Sequence, residues 1–212
     1  MVGNWRHPGG VAWRALRQVV LLATVLATGS PAWAQVDEAR ARKIVGGNCA
    51  ICHGEQGEST SELFPRLAGQ HWEYIAKQLG NFKSGERKSR EMAQMVSKLK
   101  PDEMQAVGRY FEKQQLPKEP VRDAALAAKG ELIYKGGNPA NGLPPCASCH
   151  GADALGAATL PRLAGQTALY TETQLQRFDR RERTNDNAAM QMVARSMTAA
   201  EMSAVAHYLE SR

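Results

Sequence analysis

Cysteine is scarce in this 212-residue sequence, and all four copies lie in two short motifs. Outside those motifs no cysteine is available as a metal ligand or nucleophile. Histidine is also scarce, with five copies. No apolar run reaches the roughly 20 residues that a membrane-spanning helix needs. β-Branched residues rarely alternate with polar ones, while alanine, lysine, glutamate and leucine are common, so the composition favours helices.

The two cysteine motifs are copies of one pentapeptide. Cys49-Ala50-Ile51-Cys52-His53 recurs as Cys146-Ala147-Ser148-Cys149-His150. C-x-x-C-H is typical of c-type haem attachment, because the two thiols add to the haem vinyl groups and the adjacent histidine binds the iron. The sequence therefore predicts two covalently bound haem c groups.

Three other uses of these cysteines are less consistent with the sequence. A thioredoxin-like dithiol does not need the following histidine and normally lies near a βαβ pattern, which neither copy has. Structural zinc would need a fourth ligand in each half, and the spare histidines, His71 and His207, do not occupy matching positions. A disulfide across a two-residue gap would be strained.

The N-terminus has the pattern of a secretory signal peptide. Arg6, Arg14 and Arg17 precede a short apolar run at residues 19–27, and Ala32-Trp33-Ala34 supplies a small-residue cleavage pattern. We expect residues 1–34 to be removed after Ala34 and the mature protein to be periplasmic. Removing three arginines and no acid changes the formal charge from +6 to 6 − 3 = +3. The four propionates of two haems would bring the sum to about −1 with both irons ferrous and about +1 with both ferric, and this near-neutral balance argues against nucleic-acid binding.

The mature chain is an internal repeat. Pro65-Arg66-Leu67-Ala68-Gly69-Gln70 returns as Pro161-Arg162-Leu163-Ala164-Gly165-Gln166, and the flanking motifs keep the same order. Residues 114–120 between the copies are polar and contain two prolines, as expected for a linker. We predict one domain at 35–116, a linker at 117–120 and a second domain at 121–212.

Hydrophobic spacing predicts three main helices in each domain. The first helices are predicted at 37–45 and 124–135, and the middle helices at 72–82 and 169–178. The last helices are predicted to begin near Pro101, which suits the first helical position, and near Ala199, after the capping-box sequence Thr198-Ala199-Ala200-Glu201.

Methionine is the best candidate for the second axial iron ligand, since histidines are too few to serve both haems. Aligning the two C-terminal regions leaves two methionine-on-methionine pairs, Met92 with Met190 and Met104 with Met202. The second pair lies four residues into the last helix, where a hydrophobic staple explains it. Met92 and Met190 lie before that helix, where a loop or short turn can pass over the open haem face. We therefore predict metal ligation by His53 with Met92 and by His150 with Met190.

This order of motifs resembles class I cytochromes c. Duplicated over residues 35–212, it resembles the dihaem cytochrome c4 family. The resemblance implies an all-α fold of two tandem class I cytochrome c domains joined by a short proline-containing linker, each haem bound by histidine and methionine. It also implies that the Pro65 and Pro161 carbonyls accept a hydrogen bond from the ligand histidines. A turn-rich insertion at residues 136–145 departs from simple duplication.

Two filled axial positions leave no site for a substrate, so we expect an electron carrier and not an enzyme. The expected partners are redox proteins, namely a cytochrome oxidase, a quinol-oxidising complex or a dehydrogenase. Peripheral association of this protein with the membrane is compatible with such partners. The alternatives are a fixed cytochrome subunit of a periplasmic dehydrogenase, or a dihaem enzyme such as a peroxidase or thiosulfate dehydrogenase.

Basic residues near the end of each middle helix leave two interpretations open: an ordinary solvated surface, or a rim that steers an acidic partner. They are Lys83, Arg87, Lys88 and Arg90 in the first domain, and Arg177, Arg180, Arg181 and Arg183 in the second.

Overall fold

The computed structural model describes residues 1–5, 32–116 and 120–212. Met1–Trp5 are exposed and have no regular secondary structure. The predicted arginines and apolar run of the signal peptide, and residues 117–119 of the predicted linker, lie outside the described residues. Among the helices that the structure describes, none has the length and apolar character to cross a membrane.

The N-terminal half is built from helices whose positions follow the prediction closely. Helix α1 spans Ala32–Ile44 and continues through a π-helical turn, Val45–Cys49, into the short helix α2, Ala50–His53. Helix α3 spans Trp72–Ser84, α4 spans Arg90–Val96 and α5 spans Pro101–Glu112. The first helix begins earlier than predicted, and α4 was not predicted as a helix.

The C-terminal half repeats this order. Its helices are α6, Ala124–Gly136; α7, Ala147–His150; α8, Ala168–Asp179; α9, Ala189–Arg195; and α10, Ala199–Glu210. In the part of the chain that the structure describes there is no β-strand, only isolated bridges that join Asn138 to Leu143 and Ala157 to Leu160. The predicted all-α fold is confirmed.

Local signals fix the start of the last helix in each half. Pro101 occupies the first position of α5, and the Lys100 N–H donates to the Glu103 carboxylate at 2.7 Å. In α10 the Thr198 hydroxyl accepts from the Glu201 N–H at 3.2 Å, and the Glu201 carboxylate accepts from the Thr198 N–H at 2.7 Å. These bonds satisfy N–H groups that a helix start leaves without partners.

Each half has its own hydrophobic core. Phe111 of α5 is fully buried in the first core, which α3, α4 and the end of α1 complete. Tyr134 of α6 is fully buried in the second core, between α8, α9 and α10. The first and last helices of the second half approach so closely at Gly130 that a β-carbon there would lie 2.0 Å from the Ala204 carbonyl oxygen.

The insertion before the second cysteine motif folds back onto its own domain. Asn138 and Leu143 exchange backbone hydrogen bonds of 2.9 and 3.0 Å around the 3₁₀ turn Pro139–Asn141. The side-chain amides of Asn138 and Asn141 both donate to Glu201 of α10, at 2.6 and 3.0 Å. Leu143 is buried in the core, so the insertion is an anchored part of the domain.

Candidate haem sites

The two pentapeptides place their reactive side chains in the same way. Each histidine ends a helical turn, with α2 ending at His53 and α7 at His150. The cysteines of each motif are three residues apart on helical backbone, which brings their side chains to one side of the turn. None of the four cysteines is in a disulfide.

Burial makes the first cysteine of each motif a poor redox thiol. Burial raises the pKa of the Cys49 thiol to about 11 and that of the Cys146 thiol to about 11. Dithiol oxidoreductases instead depend on a cysteine whose pKa is lowered, because the thiolate is the reactive form. The environment therefore does not suit thioredoxin-like chemistry.

Both motif histidines are buried and oriented by a proline carbonyl. The His53 Nδ1 lies 2.9 Å from the Pro65 oxygen, and the His150 Nδ1 lies 3.2 Å from the Pro161 oxygen. Burial lowers the pKa of both imidazoles, although each proline carbonyl partly opposes this. A neutral imidazole that donates its Nδ1–H to a carbonyl has its Nε2 lone pair free to bind a metal.

The two predicted ligand methionines lie on short helices, and each methionine packs against the hydrophobic core of its own domain. Met92 is in α4, where the Ser89 hydroxyl caps the helix by accepting from the Met92 N–H at 3.3 Å. Met92 and Cys49 both pack against the first core, and Met190 and Cys146 both pack against the second. The loop or short turn expected here is thus a two-turn helix in each half.

The remaining methionines behave as the repeat alignment indicated. Met104 and Met202 are buried one turn into α5 and α10, and Leu99 and Met197 before those helices are buried in the same cores. This is the arrangement of a hydrophobic staple. Met192 is exposed, so its side chain lies outside the second core.

The donor set of each half fits a covalent haem. Two thiols can bond the porphyrin, a buried imidazole nitrogen and a thioether are suitable iron ligands, and the surrounding core is apolar. Within the described residues, no group of three or more histidine, cysteine, aspartate or glutamate side chains is arranged to hold a metal ion. The described residues therefore offer no cluster that could form the structural zinc site considered in the sequence analysis.

Comparison with known proteins agrees with these two sites. The family model for cytochrome c matches the chain twice, at residues 38–116 and 127–212. The chain is 41% identical over 182 residues to cytochrome c4 of Thiocapsa roseopersicina, an alignment that covers 83% of this chain and 91% of the relative. This chain belongs to the cytochrome c4 family. It is a tandem cytochrome c that binds two covalent haem c groups and transfers electrons.

Two further relatives bear on the fold and the function of this cytochrome. The crystal structure of reduced recombinant cytochrome c4 from Pseudomonas stutzeri is similar, with a TM-score of 0.77 and 34% identity, over 82% of this chain and 97% of that one. A protein of Thiomonas intermedia named thiosulfate dehydrogenase electron acceptor is 33% identical over 202 residues, which cover 93% of this chain and 92% of the relative.

The two cytochrome domains contact each other through the repeated Pro-Arg-Leu-Ala-Gly-Gln segments. The Gln166 amide accepts from the Arg66 N–H at 2.9 Å and donates to the Arg66 carbonyl at 3.0 Å. The Gln70 amide accepts from the Arg162 N–H and donates to the Arg162 carbonyl, both at 2.8 Å. The contact is reciprocal, as a pseudo-twofold relation between repeated domains requires.

Arg87 crosses from the first cytochrome domain into the second. Its guanidinium donates to Gln78 of its own domain at 2.8 Å, and to the Tyr170 hydroxyl and the Gln174 oxygen of the other domain at 2.8 and 2.9 Å. Only 8% of Arg87 is exposed. Burial alone would lower the pKa of Arg87, but Tyr170 and Tyr74 outweigh it and raise that pKa.

Arg183 makes the matching contact in the opposite direction. It donates to the Tyr74 hydroxyl of the first domain at 2.8 Å and to Gln174 of its own domain at 3.0 Å, and it too is 8% exposed. Burial would raise the pKa of Tyr74, but Arg183 and Arg87 outweigh it and lower that pKa.

Both interpretations of the basic residues were therefore wrong for Arg87 and Arg183, which lie neither on a solvated surface nor on a docking rim. Among the described residues neither guanidinium pairs with a carboxylate. The repeat itself could have indicated these two residues, because Arg87 and Arg183 occupy matching positions at an offset of 183 − 87 = 96 residues.

The spare histidines have structural contacts. The His71 Nε2 lies 2.8 Å from the Leu155 oxygen of the other domain. The His207 Nδ1 lies 2.9 Å from the Ser203 oxygen one turn earlier in α10. Both histidines therefore make packing contacts with backbone carbonyls.

Proposed function

We propose that this cytochrome is a periplasmic two-electron carrier whose irons are bound by His53 with Met92 and by His150 with Met190. The observation that carries the ligand assignment is the pairing in each half of a buried histidine, held through Nδ1, with a methionine that borders the same core as the first motif cysteine. In this assignment Cys49, Cys52, Cys146 and Cys149 attach the two haems.

If a histidine and a methionine bind each iron, the protein would need only to hold these two side chains in place. Bound haem supplies the one-electron exchange. The histidine is fixed by its proline carbonyl, and the short helix carrying the methionine is fixed by its packing on the core. A neutral thioether favours ferrous iron and so raises the potential relative to a second histidine. This ligand set suits electron transfer better than substrate chemistry.

We further propose that residues 1–34 direct export and are cleaved after Ala34, leaving domains at 35–116 and 121–212 joined at 117–120. Support comes from the basic and apolar pattern before Ala34 and from the covalent haems, which fit export. The polar, proline-containing composition of residues 114–120 supports the linker.

The electron donor we propose is a periplasmic dehydrogenase that oxidises a reduced sulfur compound, and the acceptor is a terminal oxidase or reductase. The support is the 33% identity to a protein named thiosulfate dehydrogenase electron acceptor, over nearly the full length of both chains. A quinol-oxidising complex at the membrane is the second candidate donor, since the same ligand set could accept electrons from either.

The test is reduction of the ferric cytochrome, followed by its absorbance. A catalytic amount of thiosulfate dehydrogenase plus thiosulfate should reduce both haems, with two electron equivalents taken up per chain, and thiosulfate alone should reduce neither. A quinol-oxidising complex with quinol serves as the parallel donor. Thiosulfate oxidation by the cytochrome alone, or peroxide consumption without a partner, would assign it to the dihaem enzymes instead.

A further inference from the structure

Each proline carbonyl that orients a motif histidine belongs to a peptide group whose other end is bound by the opposite domain. The carbonyl of the Pro65–Arg66 peptide lies 2.9 Å from the His53 Nδ1, and the N–H of that same peptide donates to Gln166 at 2.9 Å. In the second domain, the carbonyl of the corresponding peptide lies 3.2 Å from the His150 Nδ1, and its N–H donates to Gln70 at 2.8 Å.

The orientation of the two glutamine amides is fixed by their partners. The Gln166 oxygen accepts from the N–H groups of Arg66 and Thr167, at 2.9 and 3.1 Å, and its nitrogen donates to the Arg66 carbonyl. A flipped amide would place N–H groups against N–H groups and oxygen against oxygen. The amides of Gln70 and Gln166 are buried, at 6% and 9% exposure, so water competes little with these bonds.

Hydrogen bonds in a chain polarise one another. A peptide whose N–H donates to a good acceptor carries more negative charge on its carbonyl oxygen, which then accepts more strongly. A stronger acceptor at Nδ1 makes the imidazole a better electron donor to a metal at Nε2. Greater donation stabilises ferric iron and lowers the reduction potential.

We propose that Gln166 tunes the haem of the first domain and that Gln70 tunes the haem of the second, each across the domain interface through one peptide group. The two glutamines are positioning residues, since they act on the iron ligand through a peptide and contact no reacting atom. The inference rests on the proposed ligation by His53 and His150. It makes the potential of each haem depend on one glutamine of the opposite domain.

The experiment is a redox titration of each haem in Gln166→Met and Gln70→Met. Methionine has a similar length to glutamine but lacks the amide oxygen that accepts the hydrogen bond. The haems are distinguished by NMR, through the methionine methyl signal that disappears in Met92→Ala or Met190→Ala. Gln166→Met should raise the ferrous-to-ferric ratio of the first-domain haem about threefold at fixed ambient potential, where tenfold corresponds to 59 mV. The second-domain haem should move less, and Gln70→Met should show the reverse pattern.

Two controls separate this effect from simple loosening of the interface. Gln166→Glu keeps an oxygen that accepts from the Arg66 N–H, so the first-domain potential should not rise. His71→Leu removes a different interdomain bond, to the Leu155 oxygen, and should leave both potentials within error. Equal shifts of both haems in every variant, or shifts confined to the mutated domain's own haem, would overturn the inference. If the unmutated protein lacked the spectrum of histidine–methionine ligation, the proposed iron ligands would be wrong instead.

Discussion

The close packing of the first and last helices in the second domain predicts that one added methyl group destabilises that domain. In Gly130→Ala the new β-carbon would lie 2.0 Å from the Ala204 oxygen, 2.5 Å from the Ala204 carbonyl carbon and 2.8 Å from the Tyr208 β-carbon. The first two contacts are with backbone atoms, so no side chain can rotate away and the two helices must separate.

The net cost follows from two opposing effects. Overpacking of this kind costs about 3 kcal/mol, and replacing a helical glycine with alanine returns about 1 kcal/mol. The expected loss is about 2 kcal/mol, or a fall of roughly 8–16 °C in the melting temperature of a domain this size. Because α6 leads toward Cys146, the second haem pocket should loosen with it.

Gly80→Ala is the matched control for this prediction. Gly80 also lies inside a helix, α3, but a β-carbon there meets nothing within 4 Å. It should stabilise the first domain by about 0.5–1 kcal/mol. Thermal unfolding followed by circular dichroism and haem absorbance measures both changes. A stabilised Gly130→Ala protein would contradict the reasoning from helix contact.

Three other measurements test the electrostatics of the molecule. Arg183→Met removes the donor to the half-buried Tyr74 hydroxyl, which should cost about 2 kcal/mol of interdomain stabilisation. Calorimetry should then resolve a separate unfolding transition for each domain; one unchanged transition would refute the interface role. Burial would raise the pKa of Glu201, but Asn138 and other donors outweigh it and lower that pKa. The ionised Glu201 carboxylate therefore stabilises the fold fully above the unfolded pKa, about 4.3, and this stabilisation is lost as pH falls through the lower folded pKa. In Glu201→Gln the free energy of unfolding should depend less on pH in the acid range. An unchanged acid dependence would refute this role of Glu201. Raising ionic strength should slow electron transfer with an acidic partner; a rate independent of salt would remove the exposed arginines, such as Arg180, from docking.

The repeat pattern was enough to predict most of the fold, because the signals involved are local. The start of α5 at Pro101 and of α10 after Thr198 depends on capping bonds within four residues. Helix α4 was missed, since its seven residues carry little periodicity and its cap is a single serine, Ser89. The anchoring of the insertion on Glu201 depends on contacts about 60 residues apart, which spacing alone does not indicate.

At the haem sites, the sequence predicted the residue types but not how the domains meet. The histidine-to-proline contacts were implied by the family resemblance, and the structure contains both. The burial of Arg87 could not be predicted from the neighbouring sequence. Lys83, Lys88 and Arg90 are exposed, whereas Arg87 also contacts Tyr170 and Gln174 of the opposite domain. The sequence shows where charged residues lie along the chain, but which of them are buried depends on how the two domains pack against each other.

We propose that one chain holds two histidine–methionine haem sites, each with both iron ligands from a single domain. The most direct measurement is the far-red methionine-to-iron absorption band of the ferric protein, recorded for the unmutated chain, Met92→Ala, Met190→Ala and the double variant. We predict loss of about half the band in each single variant and all of it in the double variant. A band that survives the double substitution would contradict iron ligation by Met92 and Met190.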